Sequence, residues 1–343
     1  MHISGTAAGH EVAVPLYDEF DKEVAMFRHG ATRITVITLV AMADLLWARA
    51  AMAANCGGNI PCACGDTVQS SITLSTDLGV CTGIGLRVSS GVVLDCANHT
   101  ITGSNRPGAW FGVFLDEETG AEVRNCRVTG FRRAIRLYGG QGNRITDNEV
   151  FGNRYGIELA GATGNTIADN FVHDNRDEGI HVGTGADDNE IRGNTLVKNK
   201  LENLYLLGVN NCRVTGNTLS KSRSAALYIK HSHNIYVADN TVNNGPILVR
   251  GDSVGNVFKA NYLRGNGYFF EAYEESPGLW TYPHDNQVIG GSVQNTKACL
   301  RFAGAYDNRV DQLQLDRKCA PPALWALGGK EPTGNVVNTI PAP

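Results

Sequence analysis

The stretch that decides the fold begins at Asn143 and reads N-R-I-T-D-N-E-V-F-G-N-R-Y-G-I-E-L. A variant follows from Asn165 and reads N-T-I-A-D-N-F-V-H-D-N-R-D-E-G-I-H-V. One asparagine of this phrase recurs at steps of 22, 24, 23, 23 and 21 residues, at Asn148, Asn170, Asn194, Asn217, Asn240 and Asn261. A repeat of this length indicates a solenoid, in which each unit buries its apolar face against its neighbours.

Each repeat unit contains short strands rather than helices. Its apolar residues come in pairs, such as Ile145 and Val150, and they stand in alternating runs broken by Asn, Asp and Gly. A third short run, such as G-I-E-L from Gly156, closes the unit, and the L-x-x-L-x-L pattern of leucine-rich repeats is missing. Three strands per unit predict an all-β fold, namely a single-stranded right-handed parallel β-helix of about 10 coils with an N-terminal cap.

The recurring asparagine has a structural explanation of its own. Parallel coils bring equivalent side chains to the strand spacing of ~4.8 Å. Inward-facing amides at that spacing can hydrogen-bond along the stack as an asparagine ladder. We therefore interpret this column as structural and exclude it from the candidate ligands.

The N-terminal part of the repeat region has a more specific pattern. It reads C-G-D-T-V from Cys64, D-L-G-V-C from Asp77 and G-V-V-L-D-C-A-N-H-T-I-T-G from Gly91. These segments resemble secreted bacterial right-handed β-helix repeat proteins of the pectate-lyase-like superfamily, including NosD-like proteins. The resemblance covers roughly residues 60 to 340 and implies the fold. It does not select an activity, because that superfamily contains lyases, hydrolases, epimerases and adhesins.

Five segments are predicted along the chain. Residues 26–53 combine a basic start, an apolar run and A-M-A, which is typical of a signal peptide cut after Ala53. The segments are an over-extended start at 1–25, the signal peptide at 26–53, an N-terminal cap with disulfides at 54–91, the β-helix at 92–330 and a tail at 331–343. Export predicts a secreted or periplasmic protein without a membrane span after signal removal. Lipidation at Cys56 is a poorer alternative, because Asn55 precedes it.

Composition excludes some partners, and the cysteines suggest stabilising links. The net charge of −4 does not favour nucleic acid, and the 40 glycines suit a turn-rich β protein. Export permits disulfides, and we predict that Cys64 pairs with Cys81 and Cys299 with Cys319. A zinc site at C-A-C, residues 62 to 64, is a weaker alternative. The cysteines at 96, 126 and 212 are expected to be small buried hydrophobic residues.

Function in a β-helix must come from outward residues and loops. Aligning the third strands predicts an outward column of Arg136, Glu158, His181, Tyr205, Tyr228, Leu248, Glu271, Arg301 and Trp325. A second outward column contains Tyr138, Ala160, Gly183, Leu207, Lys230, Arg250, Tyr273 and Ala303. Nine coils at ~4.8 Å make a face of roughly 40 Å, which suits an extended polymer.

The middle coils carry the candidate catalytic residues, His181, Tyr205, Tyr228, Lys230, His231 and Arg250. Tyr, His and Lys can move protons, and Arg can bind a carboxylate in a bidentate manner. The placement of Lys230 and Arg250 one coil apart resembles β-helical alginate and chondroitin lyases, which implies Lys as base and Arg as the group that neutralises a uronate carboxylate. Calcium is a possible cofactor, although no acidic pair precedes Lys230. H-x-H at 231 to 233 could bind a metal only with a further ligand.

A longer coil supplies aromatic residues for substrate binding. Trp280 and Tyr282 follow Ser276-Pro-Gly and are predicted to form a loop over the face, where rings can stack on sugars. The predicted substrate-binding residues are Arg136, Glu158, Tyr273, Glu271, Trp280 and Tyr282. Glu158 is also a possible acid/base partner of His181. Packing of the loop against the helix side remains open.

Three functions follow as hypotheses. The first is a monomeric lyase or epimerase acting on an extended acidic polysaccharide. The second is a non-catalytic glycan-binding or structural envelope solenoid. The third is NosD-like metal delivery, which the four methionines do not support. A polygalacturonase-type hydrolase would need paired aspartates, and the adjacent pair, Asp187-Asp188, is predicted to lie in a turn.

Overall fold

The computed structural model describes residues 54–341, and all their regular secondary structure is β-strand. The predicted signal peptide and over-extended start lie outside the described residues. Within the described range no helix is long and apolar enough to cross a membrane. The strands form the predicted right-handed parallel β-helix, with three faces in each coil.

The first face is a sheet of 13 strands. They are β1 (Asn55–Cys56), β2 (Thr67–Val68), β5 (Leu86–Val88), β8 (Phe111–Asp116), β11 (Arg133–Tyr138), β14 (Tyr155–Ala160), β17 (Ile180–Val182), β20 (Leu204–Leu207), β23 (Leu227–Lys230), β26 (Ile247–Arg250), β29 (Tyr268–Glu271), β34 (Leu300–Ala303) and β36 (Ala323–Trp325). This face corresponds to the third strand of each repeat unit.

The second and third faces belong to one 22-stranded sheet. The second contains β3 (Ile72–Thr73), β6 (Val93–Asp95), β9 (Glu122–Arg124), β12 (Arg144–Thr146), β15 (Thr166–Ala168), β18 (Glu190–Arg192), β21 (Arg213–Thr215), β24 (Tyr236–Ala238), β27 (Val257–Lys259), β32 (Gln287–Ile289) and β35 (Arg309–Leu315). The third contains β4 (Leu78–Cys81), β7 (Thr100–Gly103), β10 (Arg127–Thr129), β13 (Glu149–Phe151), β16 (Phe171–His173), β19 (Thr195–Val197), β22 (Thr218–Ser220), β25 (Thr241–Asn243), β28 (Tyr262–Arg264) and β33 (Ser292–Gln294).

The remaining strands lie at one end and beside the first face. β37 (Val336–Pro341) pairs in parallel with β35, so strand pairing continues into the residues predicted to be a tail. β30 (Tyr273–Ser276) and β31 (Leu279–Thr281) form an antiparallel hairpin that branches from the longer coil. At the other end, β1 already pairs with β2 within the predicted cap.

Three asparagine ladders line the corners between faces. The predicted ladder runs from Asn148 to Asn261, and each amide nitrogen donates to the next amide oxygen at 2.9–3.0 Å. The residue before each of these asparagines has a positive φ, as at Asp147 (56°) and Gly193 (64°). Asp, Asn and Gly tolerate that conformation best, which explains the repeated D-N and G-N dipeptides.

Two further ladders were not predicted. One joins Asn143, Asn165 and Asn189, resumes after Cys212 and Ile235, and then joins Asn256, Asn286, Asn308 and Asn335. The other joins Asn153, Asn175 and Asn199. Inside the ladders, inward residues stack at the same register and are fully buried, as Ile145, Ile167, Ile191 and Val214 show.

Four disulfides staple the two ends of the coil stack. Cys64 is joined to Cys81 and Cys299 to Cys319, as in the predicted pairings, and Cys56 is joined to Cys62. The prediction for Cys96 and Cys126 was wrong, because these residues form a fourth disulfide rather than free thiols. They lie on neighbouring coils with their Cα atoms 4.7 Å apart, a proximity that the 30-residue separation did not reveal. Cys212 is a buried free thiol.

Candidate functional site

The outward side chains of the first face form a middle column set by strand register. Its members are Phe114, Arg136, Glu158, His181, Tyr205, Tyr228, Leu248, Phe269 and Arg301. Register contradicts the predicted positions of Glu271 and Trp325, because Phe269 and Ala323 occupy these places. Each error is a slip of two residues. Such a slip preserves the inward and outward alternation of a strand, so the hydrophobic pattern could not detect it.

The neighbouring outward column brings Leu207, Lys230, Arg250 and Glu271 together on four successive strands. Glu271 therefore lies beside Arg250. Tyr273, predicted for this column, instead belongs to the β30–β31 hairpin. The longer coil lets the chain leave the sheet after Glu271, whereas the predicted loop began only after Tyr273.

Three rings are stacked in the middle column. The ring centroids of His181 and Tyr205 are 5.0 Å apart, and those of Tyr205 and Tyr228 are 4.9 Å apart. Burial lowers the pKa of His181 to about 4, against the opposing effect of Glu158 and with the help of Arg133. Burial also raises the pKa of Tyr228. At neutral pH the imidazole and the phenol of Tyr228 are therefore uncharged.

At the N-terminal end of the column, Glu158 is held between two arginines. Its carboxylate contacts the Nε atom of Arg133, and Arg136 Nε lies 3.5 Å away. All three side chains are buried. Burial lowers the pKa of Arg136, partly offset by Glu158, while Phe111 and Tyr138 pack against its guanidinium. The predicted pairing of Glu158 with His181 as acid and base therefore competes with this ion pair.

The hairpin covers Lys230 and His231. Lys230 Nζ lies 3.5 Å from the centroid of the Tyr273 ring, and Lys230 is only 8% exposed. His231 Nε2 lies 2.6 Å from Glu275 Oε1, and His231 Nδ1 accepts a hydrogen bond from the backbone N–H of Asp252. Burial lowers the pKa of His231, although Glu275 opposes this shift. The hairpin thus closes over one end of the candidate site.

Glu271 neutralises two of the cations on this face. Its Oε2 accepts from Arg250 Nε at 3.1 Å and from Arg250 Nη2 at 2.6 Å, and its Oε1 accepts from Arg301 Nη1 at 2.8 Å. Burial disfavours the charge of Arg250, but Tyr228 and Glu271 outweigh it and raise the pKa of Arg250. The Arg301 guanidinium also covers the ring of Phe269.

Two carboxyl groups at the corner of the first face were not among the predicted site residues. Glu178 and Glu202 precede the strands of neighbouring coils, and the backbone N–H that follows Glu178 donates to the Glu202 carbonyl. Both side chains are 8% exposed, and Glu178 Oε2 has no hydrogen-bond partner within the described residues. Burial, reinforced by Glu202, raises the pKa of Glu178 to about 8. Burial also raises the pKa of Glu202, with Ser224 opposing it.

A signal for this pair exists in the sequence. D-E-G-I from Asp177 aligns with R-Y-G-I from Arg154, which places Glu178 at a corner position of the repeat. The predicted columns began further along each strand and therefore omitted the corner. The two carboxyl groups belong to the same coils as His181 and Tyr205, and their environments favour a proton on Glu178 at neutral pH.

Trp280 and Tyr282 do not line the middle coils. The Tyr282 hydroxyl donates to the carbonyl of Gly328 at 2.6 Å. Trp280 packs so closely against Gly328 that an added Cβ there would lie 2.3 Å from the indole. Trp280 and Tyr282 therefore anchor this segment to the C-terminal coil, whereas Tyr273 and Glu275 of the hairpin contact the predicted catalytic residues Lys230 and His231.

Potential metal ligands do not converge. Across residues 54–341, no group of three or more His, Cys, Asp and Glu side chains is arranged to hold a metal ion. All four methionines precede residue 54. The free thiol of Cys212 is buried, and burial raises its pKa to about 12, which opposes formation of a thiolate ligand.

Comparison with solved structures identifies proteins of the same architecture. The A-module of the Azotobacter vinelandii mannuronan C-5 epimerase AlgE6 is 12% identical, with a TM-score of 0.51 over 80% of this chain and 89% of the module. A mutant of the periplasmic alginate epimerase AlgG is 15% identical, with a TM-score of 0.48 over 76% of this chain and 78% of that protein.

A third structure, the DFA-IIIase of Arthrobacter chlorophenolicus A6, is larger than the matched region. A mutant of this enzyme bound to DFA-III is 13% identical with a TM-score of 0.39, and the alignment covers 76% of this chain and 62% of that enzyme. The likeness to the epimerase A-module, at 12% identity, concerns the fold alone. No curated protein matches the chain significantly.

One family profile matches more than half of the chain. Its description is periplasmic copper-binding protein (NosD), and the match covers residues 96–296, which span the coils from Cys96 to just beyond β33. The four disulfides agree with the extracytoplasmic location of that family. The chain belongs to the NosD family of periplasmic proteins.

Proposed function

We propose that the chain is an exported β-helix protein, periplasmic or secreted, that binds an extended acidic polysaccharide along its first face and modifies it as a lyase or epimerase. One observation supports this most directly. The ring stack His181–Tyr205–Tyr228 lies between corner carboxyl groups on one side and the cations Lys230 and Arg250 on the other. This arrangement combines surfaces for sugar rings with groups that transfer protons.

The chemistry has a clear requirement. A uronate loses its C5 proton only when the charge of the adjacent carboxylate is masked and a base is within reach. Arg250 would pair with that carboxylate, in competition with Glu271. Glu178 holds a proton at neutral pH and would supply it to the leaving oxygen. Lys230 would take the C5 proton as a neutral amine, after the hairpin moves and uncovers it from Tyr273.

Copper does not fit the described residues, although the family description names it. No methionine is present among them, the free thiol is buried and no group of three ligands converges. We therefore derive no step through copper. The mannuronan epimerase shows that this architecture is compatible with uronate chemistry, whereas the proposal depends on the residues of this chain.

The ion pairs also favour a second function, a non-catalytic glycan-binding solenoid. Glu271 already neutralises Arg250 and Arg301, and the ring of Tyr273 covers Lys230. A face whose cations are internally paired can present its rings to a sugar without reacting with it. The two functions differ in product formation and share the binding surface.

The test uses the protein exported and purified from an oxidising compartment. We would incubate it with alginate, pectate, chondroitin, hyaluronan and glucuronan, with and without calcium. Ultraviolet absorbance reports unsaturated uronate, a reducing-end assay reports hydrolysis, and proton NMR reports C5 inversion. We expect unsaturated or inverted product from one polymer and at least about a hundredfold loss of rate in Lys230→Ala and Glu178→Gln.

Lys259→Ala is the matched control, because Lys259 is an exposed lysine at the end of β27 on the second face. It should retain the full rate. Binding of a polymer without any product would support the glycan-binding solenoid instead. Reducing ends without ultraviolet absorbance would contradict a lyase and assign hydrolysis to the pair Glu178 and Glu202. Absence of both binding and product would contradict the proposed function.

A further inference from the structure

A column of positive charge lies at the corner beside the first face. Arg132, Arg154, Arg176 and Lys200 occupy equivalent positions on four successive coils, and three of them directly follow a ladder asparagine. The backbone shows the register: Arg154 N–H donates to the Phe131 carbonyl, Arg176 N–H to that of Asn153, and Lys200 N–H to that of Asn175. We call these four residues the basic column.

Internal carboxylates balance the basic column only in part. Arg154 Nε contacts Asp177 at 2.6 Å, whereas Arg176 Nη2 donates to the amide oxygen of Asn105 at 3.0 Å. Arg154, Arg176 and Lys200 are exposed. Like charges held one coil spacing apart repel one another. Four cations in register, one strand spacing of ~4.8 Å apart, are therefore hard to explain by the stability of the coil stack.

The basic column also borders a pocket. A cavity of about 330 Å³ lies between residues 105–110 and the column, and its charged lining is Arg106, Arg132, Arg154 and Arg176. Trp110 lines it too, with the Arg132 guanidinium 5.0 Å from the indole centroid. An indole beside several guanidinium groups offers a ring for the face of a sugar and donors for an acidic group.

The basic column follows the same direction as the candidate active face. Arg132 and Arg154 are the direct neighbours of Arg133 and Tyr155, and Arg176 is two residues before Glu178. A linear polymer lying along the first face would therefore present acidic groups to this corner at each coil. Because the repeat of the cations is the repeat of the coils, the column can hold several acidic groups of one chain together.

We infer that the basic column and the pocket at Trp110 form an anion-binding subsite for a linear polysaccharide that bears carboxylate or sulfate groups. This inference rests on the proposed function, because it states how the same polymer is held beside the first face. It assigns binding to residues outside the predicted catalytic set. The subsite acts through paired charges, so binding should weaken as salt is added.

The test compares charge on the ligand and charge on the protein. Calorimetry would measure binding of tetragalacturonate, of its methyl-esterified form and of a sulfated heparin tetrasaccharide. We expect the acidic ligand to bind in low salt and the esterified form to bind about tenfold or more weakly. In Arg154→Gln/Arg176→Gln the acidic ligand should lose about tenfold or more in affinity. The affinities for tetragalacturonate and for the sulfated tetrasaccharide show whether the subsite prefers carboxylate or sulfate.

The matched control is Arg144→Gln/Arg213→Gln, which removes two exposed arginines from β12 and β21 on the second face. Its affinity should stay within about twofold of the parent, since Arg144 and Arg213 lie on another face and are not part of the pocket lining. An equal loss in both double variants would overturn the inference, as would binding of double-stranded DNA in place of the oligosaccharides. The thermal midpoint of Arg154→Gln/Arg176→Gln should not fall, whereas a purely structural column would lower it.

Failure of this inference is distinguishable from failure of the proposed function. If product forms and Arg154→Gln/Arg176→Gln leaves KM unchanged, the subsite is wrong and the activity remains. If the acidic tetrasaccharide binds through the basic column and no product forms from any polymer, the subsite stands and catalysis is contradicted. If neither of the two acidic tetrasaccharides binds, the proposed subsite is wrong.

Discussion

The asparagine ladders and the outward column of the first face are built on one repeat and differ in almost every other respect. Both place one side chain per coil at the same spacing. In the ladder the side chains are identical and satisfy one another, as Asn170 and Asn194 do at 2.9 Å. In the outward column the residue changes at each coil, from Glu158 to His181 to Tyr205, and burial leaves His181 with a lowered pKa. Repetition of a buried amide maintains the fold, whereas the varied outward side chains of the first face supply different chemical groups at each coil.

The largest effect should follow from interrupting a ladder. Asn194→Leu removes an acceptor for the Asn170 N–H and donors to the carbonyls of Ile167 and Arg192. We expect the free energy of unfolding to fall by at least about 3 kcal/mol, because several buried polar groups lose partners at once. Urea unfolding with hydrogen exchange would measure it. Asn243→Leu makes the same change at an outward position and should cost less than about 0.5 kcal/mol, so an equal cost would break the comparison.

The next effect is a pH dependence of stability that Glu178 introduces and the uncharged ladder asparagines do not. The folded pKa of Glu178 is raised to about 8 from 4.5, so the folded protein holds a proton that the unfolded chain releases. Stability is therefore greatest below pH 4.5 and is lost as pH rises toward 8, by about 1.4 kcal/mol per unit. Glu178→Gln should remove this contribution. The free energy of unfolding of the variant, relative to that of the parent protein, should therefore be about 2 kcal/mol higher at pH 8 than at pH 6.5.

His181 provides a second pH dependence of stability, in a different pH range. His181 has its pKa lowered to about 4, so its contribution is lost as pH falls from 6.5 toward 4, opposite in sign to that of Glu178. His181→Asn should change the slope of stability below pH 6.5 and leave it unchanged between pH 7 and 8. If the free energy of unfolding changes with pH in Glu178→Gln in the same way as in the parent protein, the raised pKa of Glu178 is contradicted.

A smaller effect is expected from the ring stack itself. Tyr205→Ala removes the middle ring of the stack, a residue that is 9% exposed, and should cost about 1–2 kcal/mol. The adjacent inward change Leu204→Ala should cost about 2–5 kcal/mol, because the cavity it leaves is enclosed by the core. Thermal unfolding of both variants measures the difference. A reversed order would show that the outward face contributes more stability than the interior.

The smallest effect concerns the hairpin. Glu275 raises the pKa of His231 against the effect of burial, so Glu275→Gln should lower that pKa further. NMR titration of the His231 imidazole would measure the shift, and we expect unfolding to change by less than about 1 kcal/mol. Glu190→Gln, on the second face, is the control and should leave the titration unchanged. An unchanged pKa in Glu275→Gln would show that the hairpin does not close over His231.

The repeat region was predictable because each coil contacts only its neighbours. Local patterns such as D-N at Asp147-Asn148 therefore carry the information for the turns, the ladder and the inward stack. The same logic predicted that Arg136 to Leu248 share an outward column. It failed at Phe269 and Ala323, where a slip of two residues leaves the pattern unchanged.

The sequence by itself determined the parallel β-helix, its repeat, the Asn148 ladder and the residues of the middle column, because these properties depend on periodicity. Only the tertiary structure decided what those residues touch. It pairs Arg250 with Glu271, covers Lys230 with Tyr273, joins Cys96 to Cys126 and buries Glu178 beside Glu202. Each of these contacts depends on how far two side chains lie from each other and from water, and periodicity carries no information about those distances.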